Sequence, residues 1–139
     1  MSTSKFILAG LAATLVFFLV GYIGYGVLLS NFFATHAGPA KGVGREMEHL
    51  LFMYIILGNL CAGFLLTYVF SKIGITAIGK GVVTGAIIGF LMSASHDSIS
   101  YGTSWVMSRT SALADVITFT VLSAIAGAVI ALIAGMGKK

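Results

Sequence analysis

The residues best suited to chemistry are His96 and Asp97, which follow a long apolar stretch. Ionisable groups are costly inside a membrane, and they usually face a cavity or a partner. Ser93, Asp97 and Ser100 recur at intervals of three or four residues, so they share one face if a helix continues through them. The pattern favours a stripe that binds a ligand or relays a proton. The alternative is that these groups satisfy the backbone where the helix ends.

A second acid, Asp115, lies near the start of the next apolar stretch. Asp97 and Asp115 end and begin consecutive predicted helices, so their side chains can approach each other, with Arg109 as the available counter-ion. We therefore expect both acids in one polar pocket. The alternative is that Asp115 stabilises a helix N-terminus, with Thr110 or Ser111 as the N-cap residue.

A metal site is a further hypothesis, because Glu46 and His49 form an E-x-x-H motif. Di-iron four-helix proteins use this motif twice with two further glutamates, and the chain has only two glutamates, which excludes such a centre in a single chain. A single metal held by His49, His96 and a carboxylate stays open, since these ligands suit zinc, copper or iron. The alternative role of Glu46 is to stabilise a helix start.

No cofactor is required by the sequence. The one cysteine, Cys61, lies within an apolar stretch, and there is no haem-attachment motif and no catalytic nucleophile motif.

Four long apolar stretches must position these residues. The chain has 139 residues, of which 58% are hydrophobic and 9% charged, whereas a soluble domain carries roughly 25% charged residues. A bilayer core needs about 20 apolar residues per helix. The stretches predict helices over about 5–34, 45–71, 81–101 and 111–135. We therefore expect an all-α protein, a single transmembrane four-helix bundle over residues 1–139, whose partner is the lipid bilayer and not nucleic acid.

The orientation of the bundle follows from its basic residues. Short connections between consecutive helices predict an up-down-up-down arrangement, and cytoplasmic loops carry an excess of lysine and arginine. With cytoplasmic termini, the inner side holds five of the eight basic residues, and all three histidines and all four acids fall toward the outer side. The sequence therefore predicts cytoplasmic termini and a polar pocket that opens outward.

Small residues at intervals of four predict close helix contacts. Gly81, Gly85 and Gly89 form a doubled G-x-x-x-G motif, and Gly127 lies in a second series that runs from Ser123. Small residues on one helix face let another backbone approach. Packing within the chain is the favoured interpretation, and a seam between copies is the alternative.

Two parts of the chain resemble small bacterial membrane proteins of unknown function. Residues 21–33, GYIGYGVLLSNFF, resemble the first-helix signature of a four-helix family, although they lack its common tryptophan. Residues 95–103, SHDSISYGT, and 114–118, ADVIT, resemble the aspartate-containing segments of helices 3 and 4 in a related family. The resemblance implies a four-helix fold in a bacterial inner membrane, makes Asp97 and Asp115 the family's polar positions, and implies no activity.

Three functions fit these observations. The favoured one is a non-enzymatic membrane protein that binds or passes a small solute or proton, with His96, Asp97 and Asp115 lining the pocket and His49 nearby. A single chain of four helices has few helices with which to surround a transport path, so this function requires a homo-oligomer. The second is an accessory or assembly subunit of a larger membrane complex. The third is a redox or metal-dependent protein with a site at the outer face.

Overall fold

The computed structural model describes residues 1–137, and helices dominate that range. They are α1 (Thr3–Gly21), a π-helical segment that continues it (Tyr22–Leu28), α2 (Ser30–Thr35), a 3-10 turn (Met47–His49), α3 (Phe52–Ile73), α4 (Ile78–Thr103) and α5 (Arg109–Gly135). Four helices, counting Thr3–Leu28 as one, are long and apolar enough to cross a membrane. The predicted all-α class and its four apolar helices are therefore confirmed.

Two predicted helix boundaries differ from the structure. The first helix, predicted over 5–34, changes to π geometry at Tyr22 and is interrupted at Leu29 before α2. The second begins at Phe52 and not near Arg45. Residues 36–46 contain the only proline and several glycines, one of which, Gly42, adopts a positive φ of 70°. Such residues favour turns over helix, so this part of the chain forms an exposed connector.

Helices α4 and α5 pack antiparallel with their backbones in contact. A Cβ atom on Gly81 would lie 2.5 Å from the carbonyl oxygen of Gly127, and one on Gly85 would lie 2.2 Å from that of Ser123. On Gly89 it would lie 2.3 Å from the Ser123 side chain. The predicted glycine stripe therefore packs within the chain, which leaves contacts between copies to other faces.

Helix α1 packs on both α3 and α5. It meets α3 through small residues, because a Cβ atom on Gly63 would lie 2.7 Å from the backbone nitrogen of Thr14. It meets α5 through stacked rings, with 5.6 Å between the centroids of Phe17 and Phe119. Helices α3 and α4 follow each other in the chain but pack mainly on α1 and α5 respectively.

The connectors gather at two ends of the molecule. At one end, residues 36–40 and 104–108 form a clasp, in which an antiparallel bridge joins Ala37 to Met107. At the other end, the Lys5 ammonium group donates a hydrogen bond to the Met136 carbonyl. The two ends of the α1–α5 pair are therefore both tied by hydrogen bonds.

We expect Gly85→Ala to destabilise the protein by about 1–3 kcal/mol, because the added methyl group would overpack a backbone contact. Gly79→Ala is the matched control on the same helix, since a Cβ atom there meets nothing within 4 Å. Alanine favours a helix over glycine by up to about 1 kcal/mol, so the control is neutral or slightly stabilising. Thermal unfolding in detergent measures both, and equal midpoints would contradict the tight contact.

Candidate functional site

The glycine stripe of α4 continues into two polar residues toward the clasp. Ser93 and Asp97 follow Gly89 at intervals of four residues, so they lie on the face that packs against α5. Both are buried, and only 1% of the surface of Asp97 is exposed. The face of α4 that packs closely on α5 through glycines at one end of the helix therefore buries the Asp97 carboxylate at the other end.

Both oxygens of the Asp97 carboxylate have partners. The Ser93 hydroxyl donates to Oδ2 at 2.7 Å, and Nδ1 of His96 lies 3.0 Å from Oδ1. The His96 side chain is itself 78% exposed. Hydrogen bonds to a charged group are about twice as strong as those between neutral groups, so these contacts offset part of the cost of burial. They also connect the buried acid to the protein surface through one imidazole.

Asp115 and Tyr25 complete the cluster from two other elements. The half-buried Asp115, on α5, lies beside the Asp97 carboxylate and beside the Tyr25 hydroxyl. Like charges repel strongly where the surroundings are apolar. A proton or a small cation held between the two carboxylates would relieve that repulsion. The cluster of Ser93, His96, Asp97, Asp115 and Tyr25 is therefore suited to hold one positive charge.

The π segment of α1 carries Tyr25 to this position. Its wider turn is closed by a hydrogen bond from the Leu29 nitrogen to the Gly24 carbonyl at 2.8 Å. A Cβ atom on Gly24 would lie 3.8 Å from the Thr118 methyl group, so the segment runs alongside α5. π-helical turns are rare and occur frequently at functional sites. Tyr25 is not among the residues that the sequence pattern favours for chemistry, and its flanking glycines, Gly24 and Gly26, are the signal that could have found it.

Neither Asp97 nor Asp115 stabilises a helix end, which was the alternative role for each acid. The N-cap of α5 is Ser108, which forms a capping box with Ser111, so neither predicted N-cap residue occupies that position. Asp115 lies beyond the first turn of the helix. Asp97 lies inside α4, whose C-cap is Ser104. Both carboxylates therefore face side chains and not helix ends.

Ser100 and His49 lie outside the cluster. The Ser100 carbonyl accepts a hydrogen bond from the Ser104 hydroxyl at 2.8 Å, which closes the end of α4. His49 ends the exposed 3-10 turn, and Glu46 is the extended residue before it. The expected placement of Glu46 and His49 on the first turn of α3 is therefore wrong, because that helix starts later.

The residues proposed as metal ligands are not brought together. Within residues 1–137, no three His, Cys, Asp or Glu side chains form a group that fits a metal ion. The ion pair found in that range joins His96 to Asp97, so Arg109 is not the counter-ion of either acid. Arg109 instead lines a groove of about 310 Å³ between α4 and α5, together with Asp97 and Tyr101. Asp97 therefore lies at the wall of a groove between these two helices.

Comparison with known protein families, with curated proteins and with solved structures gives no match to this chain. The chemistry of the cluster is therefore the ground for inferring what the protein does.

Proposed function

We propose that the chain is a multi-pass membrane protein that binds a proton at the Asp97–Asp115 pair and passes it, alone or with a small solute, across the membrane. The observation that carries this proposal is the Asp97 carboxylate, which is buried in an apolar bundle but bonded to the exposed His96. Acids and histidines within membrane helices mark substrate or ion pathways, and chains of them form the proton relays of pumps and transporters.

The relay has a defined order of neighbours. His96 meets the exterior, Asp97 accepts from it, Asp115 faces Asp97, and Tyr25 lies beside Asp115. Each group can accept or donate a proton, so a proton taken up by the imidazole has a carboxylate as its next acceptor. Ser93 holds the second oxygen of Asp97 and keeps that carboxylate in place.

The rest of α4 and α5 gives a proton no comparable path. Below Ser93 the two helices meet through glycine and alanine, with the backbones in contact. Passage beyond the cluster therefore needs groups from elsewhere, and we propose that a second copy of the chain supplies the remaining wall. Much of α4 is available for that contact, because its buried face is confined to the stripe from Gly81 to Asp97.

We propose an up-down-up-down arrangement with cytoplasmic termini in a bacterial inner membrane. The basic residues support this orientation, since Lys5, Lys72 and Lys80 lie in the end turns of spanning helices on the side assigned to the cytoplasm. The clasp and the His96 side chain then face outward. The resemblance of residues 21–33 to a bacterial membrane family supports the choice of membrane.

Single cysteines at two open glycines test this orientation in a Cys61→Ala background. Gly44 lies in the connector after the clasp and Gly79 lies at the start of α4, and a Cβ atom at either meets nothing within 4 Å. We expect an impermeant thiol reagent applied to intact cells to label Gly44→Cys and to label Gly79→Cys only after lysis. The reverse pattern would invert the proposed orientation.

Proton flux into proteoliposomes tests the function itself. We expect the wild-type protein to accelerate dissipation of a pH gradient, monitored by a trapped dye with a potassium potential to balance charge. Asp97→Asn and Asp115→Asn should each slow that rate at least tenfold, because each removes one ionisable group of the relay. Glu48→Gln, at an exposed acid of the connector, should leave it unchanged. A wild-type rate equal to that of empty vesicles contradicts proton passage.

Native mass spectrometry from a mild detergent tests the requirement for several copies. We expect a homo-oligomer, because one chain supplies only part of a path. A single copy bound to foreign subunits in fixed ratio would instead support the second candidate, an accessory subunit. That candidate is favoured by one observation, namely the limited contact between α3 and α4, which leaves room beside both helices for a partner.

A further inference from the structure

A cavity of about 290 Å³, half open to the surface, lies between α1, α3 and α5 at the clasp end. Its walls are rich in rings, which come from all three helices and from the π segment: Phe17, Phe18, Tyr22, Tyr25, Phe52 and Phe119. Most of the remaining lining is aliphatic or glycine. Ligand pockets are typically apolar clefts of about 300–1,000 Å³, so this cavity has the size of a small site.

The lining contains no charged side chain and few polar groups. Tyr25 brings a hydroxyl group, and Asn59 brings an amide from α3. The Asn59 nitrogen donates to the Ile55 carbonyl at 2.7 Å, which leaves the amide oxygen as an acceptor. A neutral molecule with one hydrogen-bonding group matches these partners, whereas a charged molecule would be desolvated without compensation.

We propose that this cavity binds a neutral aromatic molecule about the size of two fused rings, with its single polar group at the Asn59 amide. Six aromatic side chains in the lining favour contact with ring edges and faces over contact with a flexible chain. The Asn59 nitrogen already donates to Ile55, and a lipid tail has no donor for the remaining amide oxygen, whereas a hydroxyl group on a ring has one. The aromatic molecule is therefore the occupant that uses every feature of the lining.

Tyr25 links the cavity to the acidic cluster, since it lines the former and lies beside Asp115 in the latter. The inference rests on the proposed function in one respect: the bound molecule would be the solute that moves with the proton. Binding itself requires only the cavity. The two proposals can therefore fail separately.

The test uses 2-naphthol, a bicyclic phenol, and the full-length protein in nanodiscs of phosphatidylcholine. Equilibrium dialysis against empty nanodiscs corrects for partition into lipid, and we expect saturable binding at one site per chain. Gly21→Leu should weaken the binding of 2-naphthol at least tenfold, because Gly21 lines the cavity and a leucine side chain would extend into it. A Cβ atom at Gly21 fits without a clash, since the nearest heavy atom would be 3.9 Å from it. Gly58→Leu is the matched control on α3, where a Cβ atom meets nothing within 4 Å, and should bind like wild type.

A second filling variant, Leu50→Trp, lies in the connector outside the spanning helices and should weaken binding in the same way if Gly21→Leu does not fold. Wild-type affinity in a folded filling variant would overturn the proposal. It would also be overturned if oleate displaced 2-naphthol as effectively as naphthalene does. We expect Asp97→Asn to keep binding. Binding retained with no proton flux in wild type defeats the proposed function alone, and flux without binding defeats this inference alone.

Discussion

The contact between the α4 and α5 backbones determines where the polar groups of this protein lie. Glycine at 81, 85 and 89 lets the two helices approach until carbonyl oxygens of one meet Cα atoms of the other. Lipid is as apolar as the side chains, so burial of apolar surface does little to join helices in a membrane, and close packing of small residues is a main source of association. The same face then delivers Ser93 and Asp97 into the interior, opposite Asp115.

Burial of Asp97 is the cost that this geometry imposes. A carboxylate removed from water without partners is strongly unfavourable, and here it receives a hydroxyl and an imidazole, while an acid stands opposite. A cluster built only for stability would place an amide or a cation opposite Asp97. The like-charge pair supports the proposal of a site that gains and loses a charge.

The sequence was sufficient for the class of fold. Apolar length alone predicts four spanning helices, and the position of Asp97 and Asp115 at the ends of consecutive helices predicts their approach. It was not sufficient for Tyr25, because no motif in residues 22–28 distinguishes a π-helical segment from a continuation of the α-helix. Nor did it place His49 correctly, since the E-x-x-H spacing suggests a helix that the neighbouring glycines and proline prevent.

The clasp and the Lys5–Met136 hydrogen bond have a mechanical consequence. They join the connector after α2 to the start of α5 at one end, and α1 to the end of α5 at the other. Close backbone contacts join α4 to α5 and α3 to α1, since a Cβ atom on Gly63 would lie 2.7 Å from the Thr14 nitrogen. The helices are therefore linked in the order α3, α1, α5, α4, and the walls that α3 and α5 give to the aromatic cavity are both anchored on α1.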